Sequence, residues 1–382
     1  MNERLRSRLG IVAVALIFIL NGALSVAILP RYADISASLG LNTAALGLAR
    51  AGETVGLTVV STLLALGLAK RFGSRLSYGL PLVIYCLAPA LIAIAHSGPT
   101  LFAAQVVRGA SNAPVDLAQT TLALAISAQV GRKLMPRFEI GFSAGALLGS
   151  GAGAWAAGRI GLFPYLVGVA AVALALGLVA WCFLPSPSAP TEERKEPTTD
   201  ERGSRALWAL AILAFFSLFA EFLGQDWSSI FYTGDLHASP TQAGYGAFAF
   251  QVGFIAVLLF GTRLDERFGP VLVVRVGGAV FATAMVVFVL SHSVLVATAA
   301  LEVAGLGAGN LVPLVLSGLE GHPDYKVWVA RITAVMYLGP GASKLVGVLA
   351  AATSLRWALA VAVPVGAVIV VMASALRPSQ SS

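Results

Sequence analysis

Seven ionisable residues lie inside long apolar runs of this sequence, where a charge is costly. They are Glu53, Asp116, Glu221, Glu302, Arg50, Arg108 and Lys344. Insertion scales put the cost of one such charge in a membrane helix at about 2.5–3.5 kcal/mol, so each residue is a candidate for binding a solute or a proton. Pairing between the four acids and the three bases is the simpler alternative, and the sequence leaves both interpretations open.

Glu221 is the strongest candidate for proton chemistry. It lies about half-way along an apolar run, in the stretch Phe215-Phe-Ser-Leu-Phe-Ala-Glu-Phe222, with no basic residue within one helical turn. A carboxylate in such surroundings is suited to binding and releasing a proton. A structural hydrogen bond to another helix is the alternative. Asp116 and Glu53 are the other two predicted proton-coupling residues.

Two charged pairs are suggested by spacing alone. Arg50 and Glu53 are three residues apart, so on one helix they are able to touch and neutralise each other. Arg108 and Asp116 are eight residues apart, which places them on a similar helix face but more than two turns from each other. For this second pair, a role in binding solute or relaying a proton competes evenly with helix packing.

Lys344 follows the stretch Gly339-Pro-Gly-Ala-Ser and is expected to be buried, with Glu302 as a candidate partner. If the two residues pair, neutralising both should harm the protein less than neutralising one. Three neutral polar residues complete the predicted solute site, namely Asn21, Gln225 and Asn310. The predicted substrate-binding set is therefore these five residues together with Arg108.

The elements that must position these residues are membrane helices. Hydrophobic residues make up 58% of the chain and charged residues only 11%, against roughly a quarter charged in a soluble domain. A helix needs about 20 mostly apolar residues to cross a bilayer core. Twelve segments qualify: 9–29, 43–69, 77–96, 100–127, 138–158, 161–184, 206–232, 241–262, 270–291, 293–318, 328–352 and 354–376.

An internal repeat divides these twelve segments into two sets of six. The tripeptide Arg-Phe-Gly occurs at 71–73 and again at 267–269, each time after a long apolar segment. The polar stretch 185–205 lies between the sets and is predicted to be a cytoplasmic linker. We therefore expect an all-α membrane protein of two pseudo-symmetric six-helix bundles, 1–184 and 206–382, that face each other across a central cleft.

The distribution of basic residues predicts the orientation. Nineteen of the 25 lysines and arginines fall in loops on one side, and only Arg31, Arg159 and Arg356 fall on the other. By the positive-inside rule both termini are cytoplasmic. Six tryptophans are predicted to anchor at the headgroup level, at 155, 181, 208, 227, 328 and 357. The net charge of +7 comes from scattered residues without a basic stripe, so nucleic acid is not an expected partner.

Small and helix-bending residues suggest how the helices pack and move. Predicted helix 5 carries glycines at 141, 145, 149, 151 and 153, a spacing that allows a neighbouring helix to approach closely. Pro313, Pro340 and Pro364 fall within later helices and are expected to permit bends. Cys86 and Cys182 lie in apolar runs and are interpreted as small hydrophobic residues, with no disulfide or metal site.

The two repeated loops resemble a motif of the major facilitator superfamily, Gly-x-Leu-Ala-Asp-Arg-x-Gly-Arg. The first copy is Gly67-Leu-Ala-Lys70-Arg71-Phe-Gly73-Ser-Arg75, and the second is Gly261-Thr-Arg-Leu-Asp265-Glu266-Arg267-Phe-Gly269. In that family the loop is thought to latch conformational states, so the resemblance implies gating roles for the numbered residues. Lys70 replaces the family's acid in the first copy, whereas Glu266 keeps it in the second.

Several strings look like the branch of this family related to fucose permease. They are Asn21-Gly22, Leu39-Gly-Leu41, 71–75, Glu221 with Asp226-Trp-Ser228, and the run from Gly305 through Asn310 to Pro313. Two departures weaken any transfer of sugar specificity. Gln119-Thr-Thr and Ser127 stand where that branch carries Asn and Glu, and Glu139 stands where relatives tend to carry His.

The predicted function is secondary active transport of a small organic solute by alternating access. Export by proton antiport is favoured, because the helix 4 residues of the sugar permeases are altered. A proton symporter importing a sugar or similar polar solute is the alternative, and a non-transporting sensor of the same fold is the alternative from another class. Expected partners are the solute, protons and the lipid of a bacterial inner membrane, with the protein as a monomer.

No cofactor or enzymatic role is expected. The four histidines lie at loops or helix ends, no HExxH or Walker A sequence occurs, and no nucleophile–base set is visible. The sequence therefore does not indicate direct use of ATP.

Overall fold

The computed structural model describes residues 3–65, 74–130, 134–184, 204–319 and 325–376. Throughout these ranges the secondary structure is helical, without a strand, as the sequence predicted. The α-helices are α1 Glu3–Val26, α2 Tyr32–Leu39, α3 Thr43–Ala65, α4 Ser74–Ala93, α5 Gly98–Val130, α6 Met135–Ala156, α7 Leu162–Phe183, α8 Ser204–Asp226, α9 Ser228–Gly234, α10 Pro240–Ala243, α11 Tyr245–Phe268, α12 Pro270–Leu290, α13 Val294–Ala308, α14 Leu311–Ser317, α15 Tyr325–Met336, α16 Leu338–Ala352, α17 Leu355–Leu359 and α18 Ala362–Met372.

The chain divides into two compact units. Unit 1 comprises Met1–Leu41 and Leu48–Thr191, and unit 2 comprises Asn42–Gly47 and Glu192–Ser382. In unit 1, α1 packs against α5, α6 and α7, while α4 packs against α5 and α7. In unit 2, α8 packs against α15, α16 and α18, and α13 packs against both α11 and α12. Most of the predicted linker, 185–203, lies outside the described residues.

Eight helical segments of the described chain are long and apolar enough to cross a membrane. They are Leu9–Leu39, Leu162–Phe183, Leu207–Gly234, Pro240–Gly261, Pro270–Leu290, Val294–Ser317, Arg331–Ala352 and Leu355–Leu376. Eight of the twelve predicted spans therefore meet this test. The other four correspond to α3, α4, α5 and α6, and α4 contains a shorter apolar stretch, Gly79–Ala93.

Glycines bring α1 and α6 into close contact. Helix α6 corresponds to predicted helix 5, for which the glycine spacing predicted such an approach. A Cβ atom added to Gly145 would overlap the backbone of Ile19, and one added to Gly149 would overlap the backbone of Ala23. Small residues allow membrane helices to approach until their backbones touch, which increases dispersion contacts. The same kind of contact recurs in unit 2, where Gly253 of α11 meets the backbone of Glu302 on α13.

The later helices are interrupted just before a proline. Pro313, Pro340 and Pro364 are each the third residue of α14, α16 and α18, and each of these helices begins within three residues after the preceding helix ends. Proline has no N–H to donate and its ring clashes with the carbonyl four residues earlier, so the helix is broken one turn before it. The predicted bends are thus located at these three breaks.

Two tryptophans contradict the prediction that all six anchor at the membrane surface. Trp227 is completely buried, and its indole Nε1 donates a hydrogen bond of 2.8 Å to the carbonyl of Ser343. Gly347 makes room for its ring, because a Cβ there would overlap it. Trp328 is also buried and packs edge-on against Trp208, with ring centroids 6.0 Å apart. Both indole rings are therefore surrounded by protein, not by lipid headgroups.

Candidate functional site

Arg108 of α5 is the central cation of unit 1. It is buried, and its Nη1 lies 2.8 Å from Oε1 of Glu53 on α3. Its Nη2 donates to the carbonyls of Leu24 and Ser25, at 3.0 and 2.9 Å. These carbonyls belong to the last turn of α1, where no following amide is available to donate to them. Arg108 therefore neutralises Glu53 and caps α1 at the same time.

Arg50 lies near this pair on α3. Its guanidinium carbon is 3.8 Å from the centre of the Tyr32 ring, in cation–π geometry. The hydroxyl of Tyr32 accepts a hydrogen bond of 2.9 Å from Gln105 of α5. The contact between Glu53 and Arg108 joins α3 to α5. The sequence suggested only a pair within one helix, Arg50 with Glu53, and did not predict this contact.

A second group of polar residues, which we call the polar cluster, comprises Asn21 of α1 and Asn112, Asp116 and Gln119 of α5. Nδ2 of Asn21 donates to Oδ1 of Asp116 at 2.5 Å, and Nε2 of Gln119 donates to the same oxygen at 3.3 Å. Nδ2 of Asn112 donates to Oδ1 of Asn21 at 3.2 Å. Residues 112, 116 and 119 share one face of α5 because they are spaced by four and three positions.

The polar cluster has no cationic contact among the described residues. Asp116 is half-buried, and its hydrogen-bond donors are the neutral amides of Asn21 and Gln119. Glu139 lies near the start of α6, which packs against α5, and is exposed. No described ion pair involves either acid, whereas Glu53 has Arg108. Among the described acids of unit 1, Asp34 and Glu53 are therefore in ion pairs, with Arg31 and Arg108, whereas Asp116 and Glu139 are not.

Glu221 of α8 is half-buried in unit 2. Within the described part of the chain it takes part in no ion pair and no side-chain hydrogen bond. Earlier on the same helix, the rings of Phe215 and Phe219 stack with centroids 6.2 Å apart. Gln225, one turn after Glu221 on α8, is buried.

Polar contacts join the end of α8 to α16. The hydroxyl of Ser343 donates to Oδ2 of Asp226 at 2.6 Å, and the carbonyl of Ser343 receives the indole N–H of Trp227. Lys344 is buried, and its ammonium lies 5.8 Å from the centre of the Phe222 ring. These contacts fix α16 against the end of α8.

Glu302 and Asn310 lie apart from Lys344. Glu302 is exposed on α13 and forms no ion pair among the described residues, so the pairing with Lys344 that the sequence suggested is not made. Asn310 is buried at the start of α14, and its Nδ2 donates to the carbonyl of Val257 on α11 at 3.4 Å. This bond ties the break between α13 and α14 to α11.

The second repeated loop ends α11 and begins α12. Gly269 has φ of 76° and ψ of 155°, a conformation that favours glycine, and its N–H donates to the carbonyl of Asp265 at 2.8 Å. Glu266 and Arg267 are exposed, and the guanidinium of Arg267 lies 5.2 Å from the centre of the Phe268 ring.

The first repeated loop falls largely outside the described residues. Lys70, Arg71 and Gly73 are not described, and Arg75 is described only as part of the backbone of α4. The gating roles that the resemblance implies for both loops remain predictions.

The structure adds residues that the sequence analysis did not select for the site. Asn112 donates to the selected residue Asn21, and Gln119, noted only as a departure from a sugar permease, donates to Asp116; Asp226 and Ser343 bond to each other between α8 and α16. A neutral amide in an apolar run is a weaker signal than a charge, so the amides at helical spacing around Asp116 were not predicted. A search for amides four positions before and three positions after each acid in an apolar run would have found Asn112 and Gln119.

Comparisons with known proteins agree on one family. The family model described as Major Facilitator Superfamily matches residues 11–233. An uncharacterized MFS-type transporter of Yersinia pestis is 28% identical over 333 residues, which cover 86% of this chain and 85% of that protein. An uncharacterized transporter of Sinorhizobium fredii is 24% identical over 309 residues, covering 76% of this chain and 79% of that protein.

Solved structures share the fold at low sequence identity. A mutant of the nucleoside transporter NupG superposes with a TM-score of 0.78 at 13% identity, covering 96% of this chain and 99% of that one. A bacterial homologue of the human lysosomal transporter Spinster gives 0.76 at 16%, with full coverage of both chains. The human organic anion transporter MFSD10 gives 0.69 at 19%, covering 97% of this chain and 99% of that one. Because the family model matches more than half of the chain, the chain belongs to the Major Facilitator Superfamily and is a multi-pass membrane protein.

Proposed function

We propose that this protein exports a small organic solute in exchange for protons. The observation that carries the proposal is Glu221, a half-buried carboxylate on an apolar helix that has neither an ion pair nor a side-chain hydrogen bond among the described residues. An acid without a fixed counter-charge is able to alternate between its neutral and ionised forms as the site opens to either side. Family membership supports transport as the general activity.

The other two predicted proton-coupling acids differ in their suitability. The guanidinium of Arg108 lies 2.8 Å from the carboxylate of Glu53 and stabilises its ionised form. A proton that binds Glu53 would therefore have to compete with this fixed positive charge. Asp116 has only neutral donors and is the second carboxylate able to exchange a proton. We therefore assign proton coupling to Glu221 and Asp116 and a structural role to Glu53.

Everted membrane vesicles test both the coupling and the direction. In vesicles made from bacteria expressing the chain, respiration acidifies the interior and the cytoplasmic face is outside. Pools of amines, sugars, nucleosides and carboxylates are added outside, and the pH gradient is followed with acridine orange. An antiporter dissipates the gradient when its solute is added, and Glu221→Gln should abolish the response at equal expression.

The matched control is Asp235→Asn, which removes an acid of the same unit that lies 3.5 Å from Arg356, outside the predicted site, and should leave the response in place. No response from any pool would contradict antiport and favour the non-transporting sensor. A response that persists in Glu221→Gln would remove Glu221 from the mechanism.

Import by proton symport is the second candidate. It is supported by Asn21, which belongs to the strings that resemble the fucose-permease-like branch and which lies in the polar cluster. In right-side-out vesicles a symporter would alkalinise the external medium when its solute is added, whereas an antiporter would not. The two vesicle orientations therefore separate the candidates.

A further inference from the structure

The polar cluster contains two buried amide oxygens that no described donor reaches. Nδ2 of Asn112 and Nε2 of Gln119 are both used within the cluster, on Asn21 and Asp116. The second atom of each amide, Oδ1 of Asn112 and Oε1 of Gln119, is buried and accepts no hydrogen bond within the described part of the chain. Both side chains are more than nine-tenths buried, at 8% and 6% exposure.

Unsatisfied buried acceptors of this kind are uncommon and costly. Leaving one buried acceptor without a donor costs about 1–3 kcal/mol, so nearly all buried polar groups in proteins are paired. Two such oxygens lie on the α5 face that also presents Asp116. A ligand that brings N–H or O–H groups to this face would satisfy both, and one that brings only acceptors would not.

The charges of the site select among ligands that donate hydrogen bonds. Asp116 and Glu139 have no cationic contact among the described residues, since the buried Arg108 is directed to Glu53 and to the end of α1. A carboxylate held away from water is stabilised by a bound cation far more than by a neutral hydroxyl. An anionic solute would be repelled by the carboxylate of Asp116.

We propose that the polar cluster is the solute site and that it binds the ammonium group of an organic amine. The ammonium would contact the carboxylate of Asp116 and donate N–H groups to Oδ1 of Asn112 and Oε1 of Gln119. Because those contacts require N–H groups, a primary ammonium binds better than a quaternary one, which has positive charge but no donor. This proposal rests on the proposed transport function and names the class of its solute.

Four probes that share a butyl chain separate charge from hydrogen bonding. They are n-butylammonium, butyltrimethylammonium, butan-1-ol and butyrate, and their binding to the purified full-length protein is measured at equal pH without a membrane gradient. We expect n-butylammonium to bind most tightly, followed by butyltrimethylammonium, with butan-1-ol and butyrate weakest. A charge-assisted hydrogen bond corresponds to about a tenfold to hundredfold change in affinity, and Asp116→Asn should weaken n-butylammonium by that factor.

Two further variants keep the test decisive if Asp116→Asn fails to fold. Gln119→Met removes one orphan oxygen and should reduce the preference for n-butylammonium over butyltrimethylammonium. The matched control Asp34→Asn removes a carboxylate of the same unit that pairs with Arg31 at 2.5 Å, outside the cluster, and should keep the wild-type order of the four probes.

The proposal is overturned if the wild type prefers butan-1-ol or butyrate, or shows no preference for n-butylammonium. It is also overturned if Asp116→Asn or Gln119→Met keeps the wild-type order and affinities. Because this binding assay involves no proton gradient, its failure leaves antiport through Glu221 untouched. Conversely, loss of the vesicle response in the wild type would contradict antiport while leaving the ammonium site in place.

Discussion

Arg108 and Glu53 form a contact of 2.8 Å between α5 and α3, and this pair organises the charges of unit 1. Since Arg108 also caps α1 through the carbonyls of Leu24 and Ser25, it is held in place by three helices. The pair thus compensates one acid and one base of the predicted site with each other. Asp116, in contrast, accepts hydrogen bonds from the neutral amides of Asn21 and Gln119.

The first prediction concerns the interdependence of this pair. Arg108→Gln leaves Glu53 without its cation and should destabilise the protein strongly, by about 3–5 kcal/mol if the site behaves as a buried ion pair. Adding Glu53→Gln to that variant should restore part of the loss. Thermal unfolding of the two single variants and the double variant in detergent gives the coupling energy. Additive losses would contradict a direct energetic link between the two residues.

The second prediction concerns the close approach of α1 and α6. Gly145→Ala places a methyl group against the backbone of Ile19, so the helices must separate, at a cost of about 1–3 kcal/mol. Gly168 of α7 is the matched control, because a Cβ added there meets nothing within 4 Å. Gly168→Ala should be neutral or stabilising by up to about 1 kcal/mol. Equal melting temperatures for both variants would show that the α1–α6 contact is looser than described.

The third prediction concerns the buried indole of unit 2. Trp227→Phe leaves the carbonyl of Ser343 without its donor and should lower stability by about 1–3 kcal/mol. Trp357, which is 69% exposed, provides the control, and Trp357→Phe should change the melting temperature little. If Trp227→Phe were as mild as Trp357→Phe, the hydrogen bond to Ser343 would not contribute to stability.

How far the sequence predicts this protein depends on the kind of contact. Helix positions follow from hydropathy, and bends at Pro313 and Pro340 were expected from proline's missing N–H. Proline alone does not predict a break, because Pro81, Pro89 and Pro114 lie inside continuous helices. The partner of Glu53 was not predictable, because spacing along one helix reveals Arg50 but cannot reveal a residue on α5. The prediction for Trp227 was wrong for a related reason, because a tryptophan near a helix end is as typical of a membrane interface as of a buried pocket.

The polar cluster illustrates the same limit at the site itself. Asn21 and Asp116 were both selected from the sequence, yet their hydrogen bond of 2.5 Å depends on the packing of α1 against α5. Asn112 was missed because neutral amides carry a weaker signal than charges in an apolar run. Their spacing from Asp116 becomes informative only once Asp116 is treated as the centre of a site.

The fourth prediction concerns orientation, which we propose from the distribution of basic residues. In a variant whose two cysteines are replaced by serine, Arg159→Cys should react with a membrane-impermeant maleimide in intact bacterial cells. Arg267→Cys, which is also exposed, should react only after the membrane is permeabilised. The reverse pattern would place the second repeated loop outside the cell and contradict cytoplasmic termini.

The most direct test of the central claim separates proton coupling from solute movement at Glu221. Purified wild-type protein and Glu221→Gln are reconstituted in liposomes, with the solute that gives the largest vesicle response as the labelled probe. Uptake driven by a pH gradient is compared with solute exchange at equal pH. We predict that Glu221→Gln loses gradient-driven uptake and retains exchange. Gradient-driven uptake at the wild-type rate in Glu221→Gln would contradict the proposed mechanism.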